Sequence, residues 1–159
     1  MSEVWLDEVE AAAWRGYRRM SVHLEAELAR DLVAGSEMSM SDYSVLSTLG
    51  RVRENQPDEP GMRVASLASH LEWEQSRLSH HLRRMQDRGL VTRCADAGDR
   101  RCQRVSLTDA GWDAIVAAAP GHVADVRRRF VDVLTREQLE QLALITDAVL
   151  GQLDLGSLQ

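Results

Sequence analysis

"QSRLSHHLRRMQDRGLV", Gln75 to Val91, is the stretch on which the reading of this chain turns. Leu78, Leu82 and Met85 fall on one helical stripe, while Ser76, Arg77, Ser79, His80, Arg83 and Arg84 point broadly away from it. The spacing predicts an amphipathic helix whose outer face is small, polar and basic. Gly89 suits the left-handed position just past a helix end, which would fold Leu90 back onto Met85 and stop the helix there.

Upstream, "MRVASLASHLEW" predicts a short helix burying Val64, Leu67 and Leu71, separated from the basic helix only by a tight turn around Glu72 to Glu74. Two helices so joined form a helix-turn-helix. Further back, "SMSDYSVLSTLGRV" offers Ser39 or Ser41 as the N-cap of another helix, which "NQPDEPG" breaks. From Leu6 to Leu32 the residues Val9, Ala13, Tyr17, Met20, Leu24 and Leu28 recur at threes and fours, a long amphipathic helix ending near Gly35.

Downstream, "LVTRC" and "CQRVSL" flank a turn-rich segment with Gly98 and two aspartates, the pattern of a β-hairpin. A register that pairs Val91 with Val105 would also pair Cys94 with Cys102. Thr108 caps the following helix, which Pro120-Gly121 is expected to kink or interrupt. "TREQ" is a capping box, Thr135 with Gln138, that opens a last helix running to Leu153. The expected fold is mainly α (α+β), one domain over 1–159. A helix-turn-helix lobe with a small hairpin wing spans 38–108, and helical regions lie at 1–35 and 109–159.

The net charge is −6, yet Gln75 to Arg104 holds eight arginines against three acids, so that window is +5 and the remainder −11. An acidic body with one basic window points to a local polyanion footprint. An α-helix fits the major groove of double-stranded DNA, and Gln75, Ser76, Arg77, Ser79, His80, Arg83 and Arg84 can reach base edges or phosphates from its outer face. The hairpin tip "GDRR" suits the narrow minor groove, where Arg100 and Arg101 meet the most negative potential and Asp99 can hold a guanidinium at a fixed angle.

The runs "MSDYSVLSTL", "MRVASLASHLEWEQSRLSHHLRRMQDRGLVTR" and "GDRRCQRVSLTDAG" together resemble winged helix-turn-helix regulators of the multiple antibiotic resistance regulator (MarR) family. The resemblance covers the whole chain in element order, and its sharpest motif is the "DRR" wing followed by "VSLTDAG". It implies a homodimer in which helices from both ends of the chain intertwine. Two recognition helices and two wings would then sit on one pseudo-palindromic operator. By position, Gln75, Ser76, Arg77, Ser79 and His80 match the recognition helix, Arg101 the wing arginine and Asp99 its supporting acid, with Arg100 sharing the wing role. The terminal helices carry long apolar stripes, including Leu139, Leu142, Ile145, Val149 and Leu153, more than a small wing domain needs to cover itself.

The resemblance also implies control by a small aromatic effector. Trp14, Tyr17, Tyr43 and Trp112 either line its pocket or serve as ordinary core and interface aromatics. Cys94 and Cys102, if paired across the hairpin, would give a redox switch; two reduced thiols are the stronger of the two readings. Redox-sensing relatives place their reactive cysteine in the first helix, where this chain has none. His70, His80, His81 and His122 show no recognised metal-ligand spacing, and no glycine-rich phosphate loop, nucleophile elbow or HExxH motif occurs. No cofactor, metal or catalytic role is therefore expected. "MSEVWLDEVEAAAW" is broken by charges, so neither a signal peptide nor a membrane span is expected, and a cytoplasmic location is the expectation. The reading is a dimeric, ligand-relieved repressor that binds DNA sequence-specifically. The rivals are a winged-helix scaffold module without DNA binding and a redox-responsive regulator.

Overall fold

The computed structural model describes residues 5–56, 61–95 and 103–153. In chain order these form α1 (Glu8–Ser36), α2 (Met40–Asn55), β1 (Met62–Arg63), α3 (Val64–His70), α4 (Gln75–Asp87), β2 (Val91–Ala95), β3 (Gln103–Leu107), α5 (Asp109–Arg129) and α6 (Arg136–Gln152). Three strands make one antiparallel sheet, with β3 between β1 and β2.

Of the two offered caps of α2, Ser39 is the one used, accepting from the Asp42 N–H, and Thr135 with Gln138 boxes α6 as expected. Asp7 and Glu10 close a capping box on α1 that the sequence reading did not name. At the end of α4, Gly89 adopts φ +73°. The Leu90 N–H donates to Met85 O at 3.0 Å and the Gly89 N–H to Gln86 O at 2.9 Å, the paired bonds of a Schellman stop. The end of α3 uses the same pair of bonds, Trp73 N–H to Ala68 O and Glu72 N–H to Ser69 O. There the left-handed residue is Glu72, at φ +54°.

The core lies under the helix-turn-helix. Leu46, Leu67, Leu78, Leu82, Met85, Val45, Val91 and Val105 are its largest fully buried side chains. They come from α2, α3, α4, β2 and β3, so the outer face of α4 is held against a packed base. Thr108 fastens the next element on: its hydroxyl donates to Gly89 O at 2.6 Å and accepts from Gly111 N–H at 3.0 Å, and its own N–H donates to Leu90 O at 3.2 Å. Gly111 is required by this approach, since a Cβ there would stand 2.0 Å from Leu90 O.

Three expectations need correction. The hairpin register pairs Val91 with Leu107 and Cys94 with Arg104, so Cys94 does not face Cys102. A slip of two leaves every side chain on its own face, which is why alternation alone could not detect it. The Thr108 N–H bond to Leu90 O continues the observed register by one step beyond the Val91–Leu107 pair. Next, β1 emerges from residues read as the start of a helix, paired through Met62 with Val105. Finally, of the two outcomes expected at Pro120-Gly121, an interruption does not occur: α5 continues through Pro120 to Arg129. Pro120 lies on an exposed face, while Ile115 and Ala118 bury into the core and α5 packs along α1 and α2. Tertiary packing outweighs the one backbone bond that proline removes.

No described helix is long and apolar enough to cross a membrane.

Candidate nucleic-acid interface

Helix α4 sorts its residues by side. Leu78, Leu82 and Met85 have no exposed surface, whereas Gln75, Ser76, Arg77, His80, Arg83 and Arg84 are exposed and Ser79 is half-buried. Seven of the sequence-derived positions therefore share one helix, and its solvent side holds three arginines and no acid before Asp87. Asp99, Arg100, Arg101 and Cys102 lie outside the described residues.

The basic window divides in two. Arg77 and Arg83 stand on the outer face, and Arg84 stands there with one nitrogen on His81, whereas Arg88, Arg93 and Arg104 donate to groups outside α4. Arg88 Nη1 donates to Asp42 Oδ2 at 2.9 Å, Arg93 donates to Gln103 across the hairpin, and Arg104 donates to Gly61 O. A count of charge along the chain cannot separate these groups. Arg88 is the residue whose role sequence reasoning missed, and its partner Asp42 lies 46 positions away.

Asp42 anchors α4 to α2 from below. Its side chain is almost wholly buried, with Arg88 on one oxygen and His81 Nε2 3.1 Å from the other, outside hydrogen-bond alignment. Burial alone would raise the Asp42 carboxyl above its ordinary range, but the bonds from Arg88 and Ser39, with the nearby charges, hold it below. Burial pushes the His81 imidazole down, more than Asp42 pulls it up, and Arg84 and Arg88 add to the depression. The Arg84 Nη2 group lies 3.0 Å from His81 Nδ1 and can only donate to it, so in the neutral ring Nε2 carries the proton, 3.1 Å from Asp42 Oδ1 but not aligned with it. His81 is thus the partly buried histidine of the inner side, and His80 faces out.

The four aromatic candidates are not gathered into one place. Trp14 and Tyr17 stack on α1 with centroids 5.9 Å apart, both half-exposed. Tyr43 of α2 packs on His122 of α5 at 4.3 Å, while Trp112, ten residues earlier on α5, lies beneath Arg53 at 5.1 Å. Ten residues of helix separate those two contacts by about 15 Å. Cys94 is exposed on β2 as a free thiol. Among the described residues no group of three or more His, Cys, Asp or Glu is placed to hold a metal ion.

This arrangement has close counterparts. The model of the MarR family matches residues 38–103. AbsC of Streptomyces coelicolor, a MarR family transcriptional regulator, is 33% identical with a TM-score of 0.82, covering 94% of this chain and 97% of its own. Sco3205 from the same organism, a MarR family transcriptional regulator solved in complex with DNA, is 34% identical with a TM-score of 0.83, covering 94% of each chain. The DNA complex of Staphylococcus aureus MepR shares the fold at 20% identity, with a TM-score of 0.74 over 86% of this chain and 94% of its own. With a buried helix-turn-helix core, a basic outer helix, a strand pair leading into the wing and a third of its residues shared with two such regulators, the chain belongs to the MarR family of transcriptional regulators.

Proposed function

We propose that this regulator is a homodimer that binds a pseudo-palindromic double-stranded DNA operator and represses transcription until a small ligand releases it. The observation that carries the reading is the acid-free outer face of α4, with Gln75, Ser76, Arg77, His80, Arg83 and Arg84 exposed above a base of fully buried leucines. A rigid helix presenting such side chains fits the major groove, and arginine offers the bidentate donors that read guanine. Arg100 and Arg101, with Asp99 beside them, would take the minor groove and add affinity more than base preference.

The lobe over 38–108 serves as the DNA-binding unit in this reading, and 1–35 with 109–159 serve as the dimerisation region. In support, α6 has no buried residue among those described, and its apolar Leu144, Ile145, Val149 and Leu150 stand largely exposed. A groove of about 880 Å³ between α1 and α6, with Met20, Leu24, Phe130, Leu134, Leu142 and Ile145 on its walls, leaves room for a partner's helix. Two-fold symmetry then sets the half-sites about 10 base pairs apart. The stacked, half-exposed Trp14 and Tyr17 supply aromatic surface for a ligand close to that interface.

The test is binding to the DNA that flanks the protein's own coding region, titrated across salt against an unrelated duplex. Tight binding to the flank that falls steeply with salt is expected, since neutralised phosphates release counterions. Arg77→Ala should cost about 1–3 kcal/mol and relax base preference. Absence of binding to either duplex at low salt would overturn the reading in favour of a scaffold role.

A further inference from the structure

Trp73 stands in the turn between α3 and α4, a position the sequence left without a function. Its backbone is fixed by the N–H bond to Ala68 O at 2.9 Å, part of the left-handed stop at Glu72. The indole is half-buried against the apolar core and meets the buried His81 ring edge-on, at 5.6 Å and 81°. His81 is itself held between Asp42 and Arg84. The ring is thus braced from below by α2 and α4.

On the open side of that ring lies Arg77, four residues on, its guanidinium carbon 4.8 Å from the indole centroid. A cation over an aromatic face is attracted by the ring quadrupole, and the planar guanidinium stacks there. A guanidinium that reads a base must offer both donors in one plane, and an unsupported arginine loses rotamer freedom to do so. Stacking removes much of that loss before DNA arrives. Arg83, exposed on the same helix, has no such ring beneath it among the described residues.

We infer that Trp73 is a positioning residue for DNA recognition: its indole face pre-sets the Arg77 guanidinium for base readout, and it acts through Arg77. This rests on the DNA-binding reading of α4. The experiment is a double-mutant cycle in the full-length protein with Trp73→Leu, Arg77→Ala and the pair, plus Trp73→Phe as the conservative variant. Leucine keeps apolar bulk in the core and removes the ring face. The readouts are the ratio of operator to unrelated-duplex affinity and the thermal unfolding midpoint.

Arg77→Ala is expected to lower the ratio about tenfold or more. Trp73→Leu should lower it several-fold, Trp73→Phe should retain most of it, and the pair should fall no lower than Arg77→Ala alone. A Trp73→Leu loss that persists undiminished in the Arg77→Ala background would overturn the inference, because the tryptophan would then act independently of the arginine. So would an unchanged ratio in Trp73→Leu, or a loss that Trp73→Phe does not restore. If Arg77→Ala itself binds and discriminates as the parent does, the assignment of Arg77 to the interface fails first and the role of Trp73 with it. Failure of the parent protein to bind DNA would instead remove the reading of α4 as a whole.

Discussion

Helices α4 and α6 carry similar apolar stripes and meet opposite fates. In α4 the stripe of Leu78, Leu82 and Met85 is wholly buried by α2, α3 and the sheet, while in α6 Ile145 remains 57% exposed and no described residue is buried. One helix completes a core inside its own chain; the other, with Leu139 and Leu142 only half-buried, leaves most of its apolar stripe exposed among the described residues. Amphipathicity states that a face needs covering, and the tertiary structure states whether this chain can cover it.

The sharpest way to break this contrast is to cut each stripe once. Leu82→Ala should lower the unfolding free energy by about 2–5 kcal/mol at every protein concentration, because it opens a cavity in a closed core. Ile145→Glu should act through assembly, shifting sedimentation from dimer toward monomer and weakening operator binding in step. If Ile145→Glu sediments like the parent, the α6 stripe is not the dimer contact.

A smaller effect resides beneath α4, where buried His81 meets Asp42. The His81 pKa is held below its ordinary value, so on acidification the unfolded chain takes up a proton before the folded one does. Stability should therefore fall as pH drops below about 6.5, the unperturbed histidine value, and keep falling until the folded ring titrates. Asp42, also held low, removes stability in the same direction at more acid pH as its folded-state carboxylate protonates. Denaturant unfolding of the parent and of His81→Gln between pH 7.5 and about 5 checks this, since the first part of the slope should vanish in the variant.

The smallest effect compares two helix ends built alike. Gly89 and Glu72 occupy equivalent left-handed positions, at φ +73° and +54°. Gly89→Ala should cost about 1 kcal/mol, for no atom within 4 Å of the added Cβ would oppose it and only the backbone penalty remains. Glu72→Gly should move the other way, by several tenths to about 1 kcal/mol, as it relieves that same penalty. Thermal melts of the two variants against the parent read both signs. Equal signs would mean that Glu72 makes up for its backbone through contacts that glycine lacks.

Much of the lobe was legible in the chain. The α4 stripe, the stop at Gly89, the caps at Thr108 and Thr135, and the outward direction of Arg77 and His80 follow from local rules, because each depends on residues within one or two turns; at α2 those rules left Ser39 and Ser41 open. The Cys94 partner did not follow: strands shifted by two residues keep the same faces, so the alternation of side chains is identical in both registers. Nor did the division of the arginines, since Arg88 and Arg83 look alike until Asp42 is brought beneath one of them.

The sequence by itself determined the main helices, their capped ends and the basic outer face of α4, properties set by spacing of 2, 3 or 4 residues, and its motif runs carried the resemblance to a family of regulators. Only the tertiary structure decided which arginines are bound to the protein, how the hairpin is registered, that Pro120 is carried inside α5 and that Trp73 lies under Arg77. Those outcomes depend on contacts between residues distant in the chain or on packing energies that outweigh local preference, and no local pattern contains them.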